Sequence, residues 1–175
     1  MSISFYDASV GTYQQILSSV GDVLEIAATY ASENNIDPQD FVMTKLAADM
    51  MPLHFQVVSV CHHSFGALKG MRDGRFTPPS FDLDKSFSQL QDLVTEAKDG
   101  LATFKETEIE AIADKSMVFA LGEREMPFTN QNFLMSFSLP NFYFHATTTY
   151  DILRMKGVPL GKLNYLGQMR IGWIV

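Results

Sequence analysis

At 175 residues, with 46% hydrophobic and 19% charged residues, the sequence predicts one globular domain over residues 1–175 with a sizeable core. Twenty acidic against thirteen scattered basic residues give a formal charge of −7, which opposes nucleic-acid binding, since that needs clustered Lys and Arg to displace counterions. No apolar run approaches the roughly 20 residues that span a bilayer, and Met1–Tyr13 has no secretory pattern. The single cysteine, Cys61, permits no internal disulfide, so a cytoplasmic protein without a membrane partner is expected.

Residues 5–34 place Val10, Tyr13, Ile16, Leu17, Val20, Val23, Leu24, Ala27 and Tyr30 at three- and four-residue steps, which predicts a long amphipathic helix. Asn34-Asn35 suits its left-handed end, and Asp37-Pro38 suits the cap and first position of the next helix. That second helix is expected over residues 38–71, bent at Pro52. On the wheel Pro52 falls with Lys45, Gln56 and His63 on the polar side, opposite Met43, Met50, Val57, Cys61 and Leu68. Gly70 to Gly74 and Thr77-Pro-Pro-Ser80 break the chain for about ten residues, enough to let a third helix run parallel to the second. The third helix, residues 82–105, carries Phe87, Leu90, Val94, Ala97, Leu101 and Phe104 on one face. Lys115–Gly122 and Glu123–Phe128 read as a short β-hairpin turning at Gly122, with Pro127 confining the second strand to an edge. Pro140 is expected to open the last helix and Gly157 to close it, with Pro159 blocking continuation. The apolar tail to Val175 either packs back on the helices or makes a subunit contact. The fold class is therefore all-α: a four-helix bundle with a small β-hairpin before its last helix.

The histidines are the first place to seek chemistry. His54 falls inside the apolar stripe of the second helix, His62 at its edge and His63 on the solvent side. On the last helix His145 shares an arc with Phe142, Thr149, Ile152 and Leu153. Two imidazoles from different helices thus point inward, the arrangement from which metal sites and general bases are built in bundles. A buried histidine is, however, more often a hydrogen-bonded core residue, and catalytic zinc commonly takes three protein ligands. Thr149 stands where a second histidine would complete H-x-x-x-H, Asp49 projects to the polar side, and Cys61 lies about 10 Å along the axis from His54. Cys61, on an apolar stripe with no activating neighbour, reads as a small hydrophobe. Neither phosphate-binding glycine loop nor G-x-S-x-G is present. Glu106, Glu108 and Glu110 read as solvated charge, and Asp151 with Arg154 as a surface pair. His54, Cys61, Phe142, His145 and Thr149 are the interior pocket candidates. Ten Met and fourteen Phe supply an adaptable interior or partner surface.

The segments Asp49-Met-Met-Pro-Leu53, Pro140-Asn-Phe-Tyr-Phe-His-Ala-Thr-Thr-Thr-Tyr-Asp-Ile-Leu-Arg154 and Gly157-Val-Pro-Leu-Gly-Lys-Leu-Asn-Tyr-Leu-Gly167 resemble an uncharacterised bacterial family of the DinB/YfiT-like metalloenzyme superfamily. The resemblance covers nearly the whole chain from Ser4-Phe-Tyr-Asp-Ala-Ser9, and the last-helix motif with its Gly-Val-Pro-Leu-Gly tail is its most specific part. It implies an up-down-down-up four-helix bundle, often a homodimer. Metal-binding members use one histidine of the second helix and an H-x-x-x-H pair of the last, which His54 and His145 match while Thr149 departs from the pattern. That departure weighs against a divalent metal such as zinc or nickel. The expectation is a bundle that binds a small apolar ligand or dimerises without a complete metal site. The alternative is a metal-dependent hydrolase or thiol transferase using His54 and His145.

Overall fold

A computed structural model describes residues 3–172, which are mostly helical with a small three-stranded sheet. Helix α1 (Thr12–Glu33) extends a π-helical segment, Asp7–Gly11, and buries the face that the spacing marks: Tyr13, Ile16, Leu17, Val20, Val23, Leu24, Ala27 and Ala31. Asn35 adopts φ 54°, and Ile36 N–H donates to the Ala31 carbonyl at 2.8 Å, closing the helix as its asparagines predict. The Asp37 carboxylate accepts from Gln39 N–H at 2.9 Å and opens α2 (Gln39–Val42), a single turn.

The bent helix expected through Pro52 does not form. The chain leaves α2 at Met43, and Pro52, extended at ψ 172°, becomes the cap of α3 (Leu53–Cys61). A proline has no N–H to donate and disfavours the α conformation in the residue before it, so it starts a helix more readily than it continues one. Leu53 N–H donates to the Thr44 carbonyl at 2.8 Å, closing the intervening loop. With the helical phase lost upstream, Met43 is exposed instead of packing in a stripe, and Gln56 is buried instead of solvated. Downstream of α3 a second π-helical segment, His62–Gly66, leads into α4 (Ala67–Asp73), which ends at Gly74 with φ 78°.

Strand β1 (Arg75–Phe76) follows at once, in the stretch expected to be loop. Residues 77–86 form a strap, and the capping box of Ser86 and Gln89 then opens α5 (Phe87–Ala102), five residues beyond the expected start. Its buried face is the predicted one, Phe87, Leu90, Val94, Ala97 and Leu101. After the short α6 (Glu106–Glu110), β2 (Ser116–Leu121) and β3 (Arg124–Thr129) pair antiparallel about Gly122, as the hairpin reading requires, with Pro127 on the edge strand. Strand β1 adds in parallel to β2, Phe76 opposite Phe119.

The last helical run begins ten residues earlier than Pro140. Helix α7 (Asn130–Phe133), a third π-helical segment (Leu134–Ser138) and α8 (Leu139–Met155) are continuous. Widened turns of this kind re-satisfy backbone groups around a proline, so Pro140 is accommodated inside the run. Gly157, at φ 91°, closes it as expected. Arg154 donates to the Val158 carbonyl at 3.3 Å, and among the described residues it makes no ion pair with Asp151. Helix α9 (Lys162–Leu166) lies on α1, where Gln15 donates to the Leu166 carbonyl at 3.0 Å, so the described part of the tail packs back. Its last three residues lie outside the described ones.

Helix α3 packs on α8 and α5, and α1 packs on α5 and α8, around a shared hydrophobic core. A buried chain of hydrogen bonds links α1 to the third and second π-helical segments. Tyr13 donates to Ser138 Oγ at 2.8 Å, and Ser138 donates to the His63 carbonyl at 2.8 Å. The Tyr13 and Ser138 hydroxyls are thereby both paired, which keeps a tyrosine hydroxyl tolerable in the core.

Candidate functional site

His145 projects from α8 toward α3. There Gln56 Nε2 donates to the Met51 carbonyl at 2.8 Å, which fixes the carboxamide with its oxygen toward His145. His145 Nδ1 lies 2.7 Å from Gln56 Oε1. An amide oxygen accepts only, so Nδ1 carries the proton and Nε2 keeps its lone pair. Phe55 and Phe144 meet the ring edge-on at 5.9 and 5.2 Å between centroids, and His63 stacks on it at 5.8 Å with 16° between planes. A depression of about 200 Å³ opens here, lined by Met50, Met51, Phe55, Gln56, Phe144 and His145. Burial lowers the His145 pKa to about 4, so the imidazole is neutral at physiological pH. The arrangement presents one hydrogen-bond acceptor within an apolar collar.

The remaining predicted residues lie elsewhere. His54 is fully buried, as its place in the stripe implies, but its Nε2 accepts from the Lys85 N–H at 3.0 Å. The proton then sits on Nδ1, which has no partner among the described residues. Burial foremost, then the Lys85 charge, lowers the His54 pKa. Phe142 meets Tyr13 edge-on at 5.0 Å, and Thr149 donates back to the His145 carbonyl at 2.9 Å. Cys61 is buried, its thiol pushed well up by desolvation, in the wall of a different groove. Among the described residues the ring neighbours of His145 are thus Phe55, His63 and Phe144, and His54 is not one of them.

His63 reverses its expectation. It is buried, not solvated, because Phe76 of β1 and Phe137 of the third π-helical segment cover it at 5.5 and 5.6 Å. Desolvation, then the neighbouring His145 and His62, lowers its pKa to about 3. Gln56, the residue that orients His145, likewise departs from the polar side on which the helical wheel places it; no feature of its own helix marks it as an interior group.

The donor set does not fit a divalent zinc or nickel centre. The acceptor nitrogen of His54 already receives Lys85 N–H, and the Thr149 hydroxyl is directed at a carbonyl. Among the described residues no three His, Cys, Asp or Glu side chains lie close enough to hold an ion.

The fold is that of a mostly helical protein with a small sheet, and its likeness to a solved structure makes it DinB-like. The crystal structure of a DinB family member protein from Shewanella denitrificans superimposes with a TM-score of 0.80 at 25% sequence identity, covering 97% of this chain and 95% of that one. Residues 5–166 match the family described as Domain of unknown function (DUF1993), and the chain belongs to that family. No curated protein matches the sequence. Among the described residues no helix is long and apolar enough to cross a membrane.

Proposed function

We propose that this DinB-like protein binds a small, single-ring apolar molecule carrying one hydrogen-bond donor, such as a phenol, at His145. The observation that carries this reading is the 2.7 Å contact of His145 Nδ1 with Gln56 Oε1, which leaves Nε2 as the ring's acceptor, in a residue that lines a depression with Met50, Met51, Phe55 and Phe144. A volume of about 200 Å³ lies below the usual range for drug-sized ligands and suits one ring. A site with a single free acceptor in an apolar lining discriminates in favour of a donor-bearing ligand, because an isostere without the donor leaves that acceptor unpaired. Amide-resolved NMR titration with phenol and with toluene tests it. Phenol should shift Phe55, Gln56 and Phe144 and lose affinity in His145→Phe; equal responses to phenol and toluene would refute the reading.

Two coarser features accompany this proposal. The helical runs 5–33, 53–73, 87–102 and 130–155 form an up-down-down-up four-helix bundle acting as one domain, a reading supported by the packing of α3 on α5 and α8 and of α1 on the same pair. The protein is a cytoplasmic homodimer, supported by the free thiol of Cys61 and by the exposed Phe81 and Phe144, which flank Phe55 and His145. Sedimentation as a monomer at high micromolar concentration would exclude the dimer.

A further inference from the structure

The strap of residues 77–86 is held at both ends by histidines of one helical run. His62 Nε2–H donates to the Thr77 carbonyl at 2.6 Å, and His54 Nε2 accepts from Lys85 N–H at 3.0 Å. The two histidines lie eight positions apart, about 12 Å along a helix. The chain from Thr77 to Lys85 could stretch to roughly 27 Å. The excess length arches outward and leaves a groove of about 380 Å³ beneath Pro78, Pro79 and Ser80. Its floor is apolar: Val58, Cys61 and Phe65 from the second helical run, Leu93 and Ala97 from α5. Phe65 closes one end by lying over Gly100, where a Cβ would stand 2.5 Å from its ring, so only glycine admits the aromatic side chain there.

The lining of this groove is mixed in charge. Against a formal net charge of −7, it presents Lys69 and Lys85 with one carboxylate, Glu96. Lys85 is loosely paired with Asp84 at 3.8 Å. Lys69 has no carboxylate within ion-pair distance among the described residues; its ammonium lies 5.4 Å above the Phe65 ring, at the closed end. The opposite rim, with Gln89 and Asp92, is polar and acidic and would repel an anion. An apolar trough ending at one uncompensated ammonium matches an amphipathic anion whose head meets Lys69 and whose body lies along the floor.

We infer that the groove beneath the 77–86 strap is a second binding site, independent of His145, for a monocarboxylate with an apolar acyl body. The volume accommodates a medium-length chain. No covalent step is involved.

Octanoate and its neutral analogue octanol, titrated at millimolar concentrations into the full chain and followed by amide NMR, provide the test. Octanoate should shift Val58, Phe65, Leu93 and Ala97 and bind more tightly than octanol. Lys69→Met, which keeps the alkyl stem of an exposed side chain, should weaken octanoate about tenfold, the loss of one charge-assisted contact, and leave octanol unchanged. Lys45→Met, on the remote 43–52 loop, should change neither. The spectra themselves report whether each variant is folded. Equal affinity for acid and alcohol, an unaltered Lys69→Met response, or shifts confined to the His145 depression would each overturn the inference.

Discussion

Acidification should unfold this protein through its stacked imidazoles. His63 and His145 are both lowered below the ordinary histidine value, to about 3 and about 4, chiefly because burial penalises the charged form. Unfolded, each returns to about 6.5, so between those limits the unfolded chain binds more protons than the native one and stability rises with pH. The contribution is therefore fully present above about pH 6.5 and is lost as pH falls toward the native values. At about pH 4.5 each group is some two units below its unfolded pKa, about 2.7 kcal/mol, and the pair together is worth on the order of 5 kcal/mol. That is comparable with the whole stability of many domains. Urea unfolding at about pH 7, 5.5 and 4.5 should show the midpoint falling steadily with an unchanged slope. His63→Phe, an aromatic replacement among Phe76 and Phe137, should remove roughly half of that fall. A midpoint independent of pH over this interval, or a full pH response in His63→Phe, would refute the reasoning.

Gln56→Leu should strip the His145 Nδ1–H of its acceptor and the Met51 carbonyl of its donor, destabilising by about 2 kcal/mol in urea titrations. Asn130→Leu should cost about 3 kcal/mol by the same measurement, because its buried amide donates to the Met71 and Ile112 carbonyls, tying α4 to the turn before the hairpin. Gly157→Ala combines a φ of 91° with a Cβ 2.9 Å from the Tyr30 hydroxyl, and thermal denaturation should register a loss of about 1–2 kcal/mol. Elemental analysis after growth with added zinc and nickel should find well under one ion per chain, unaltered by His145→Ala; stoichiometric metal would contradict the fit of the donor set described above.

The parts of the fold that could be read from the chain are those governed by neighbours in sequence. Helices α1 and α5 bury the faces their apolar spacing marks, and the turns at Asn35, Gly122 and Gly157 fall where residues that tolerate positive φ stand. Pro52 and Pro140 show the limit of local reasoning. The general rules for proline predict a kink at one and a helix start at the other, yet Pro52 is a cap and Pro140 sits inside a longer run, because surrounding turns decide where a missing N–H is tolerated. His63 and Gln56 show the same limit at the site. A helical wheel assumes a uniform 100° step and one covering face, whereas His63 lies in a π-helical segment and is covered by Phe76 and Phe137 from other elements. His54 and His145 were legible as interior groups; their separate hydrogen-bond partners, Lys85 and Gln56, depend on contacts no local pattern encodes.

The π-helical segment at His62–Gly66 also sets the phase between two parts of the molecule. One residue more than an ordinary turn is spent there, which offsets everything upstream from everything downstream by about 100°. A one-residue deletion in this segment would yield a more regular helix and a worse protein. Gln56 would swing away from His145, while Gly70, whose missing side chain admits Arg75 and Phe76, would keep its place against the sheet. Local regularity and the alignment of the two ends are in direct competition at these five residues.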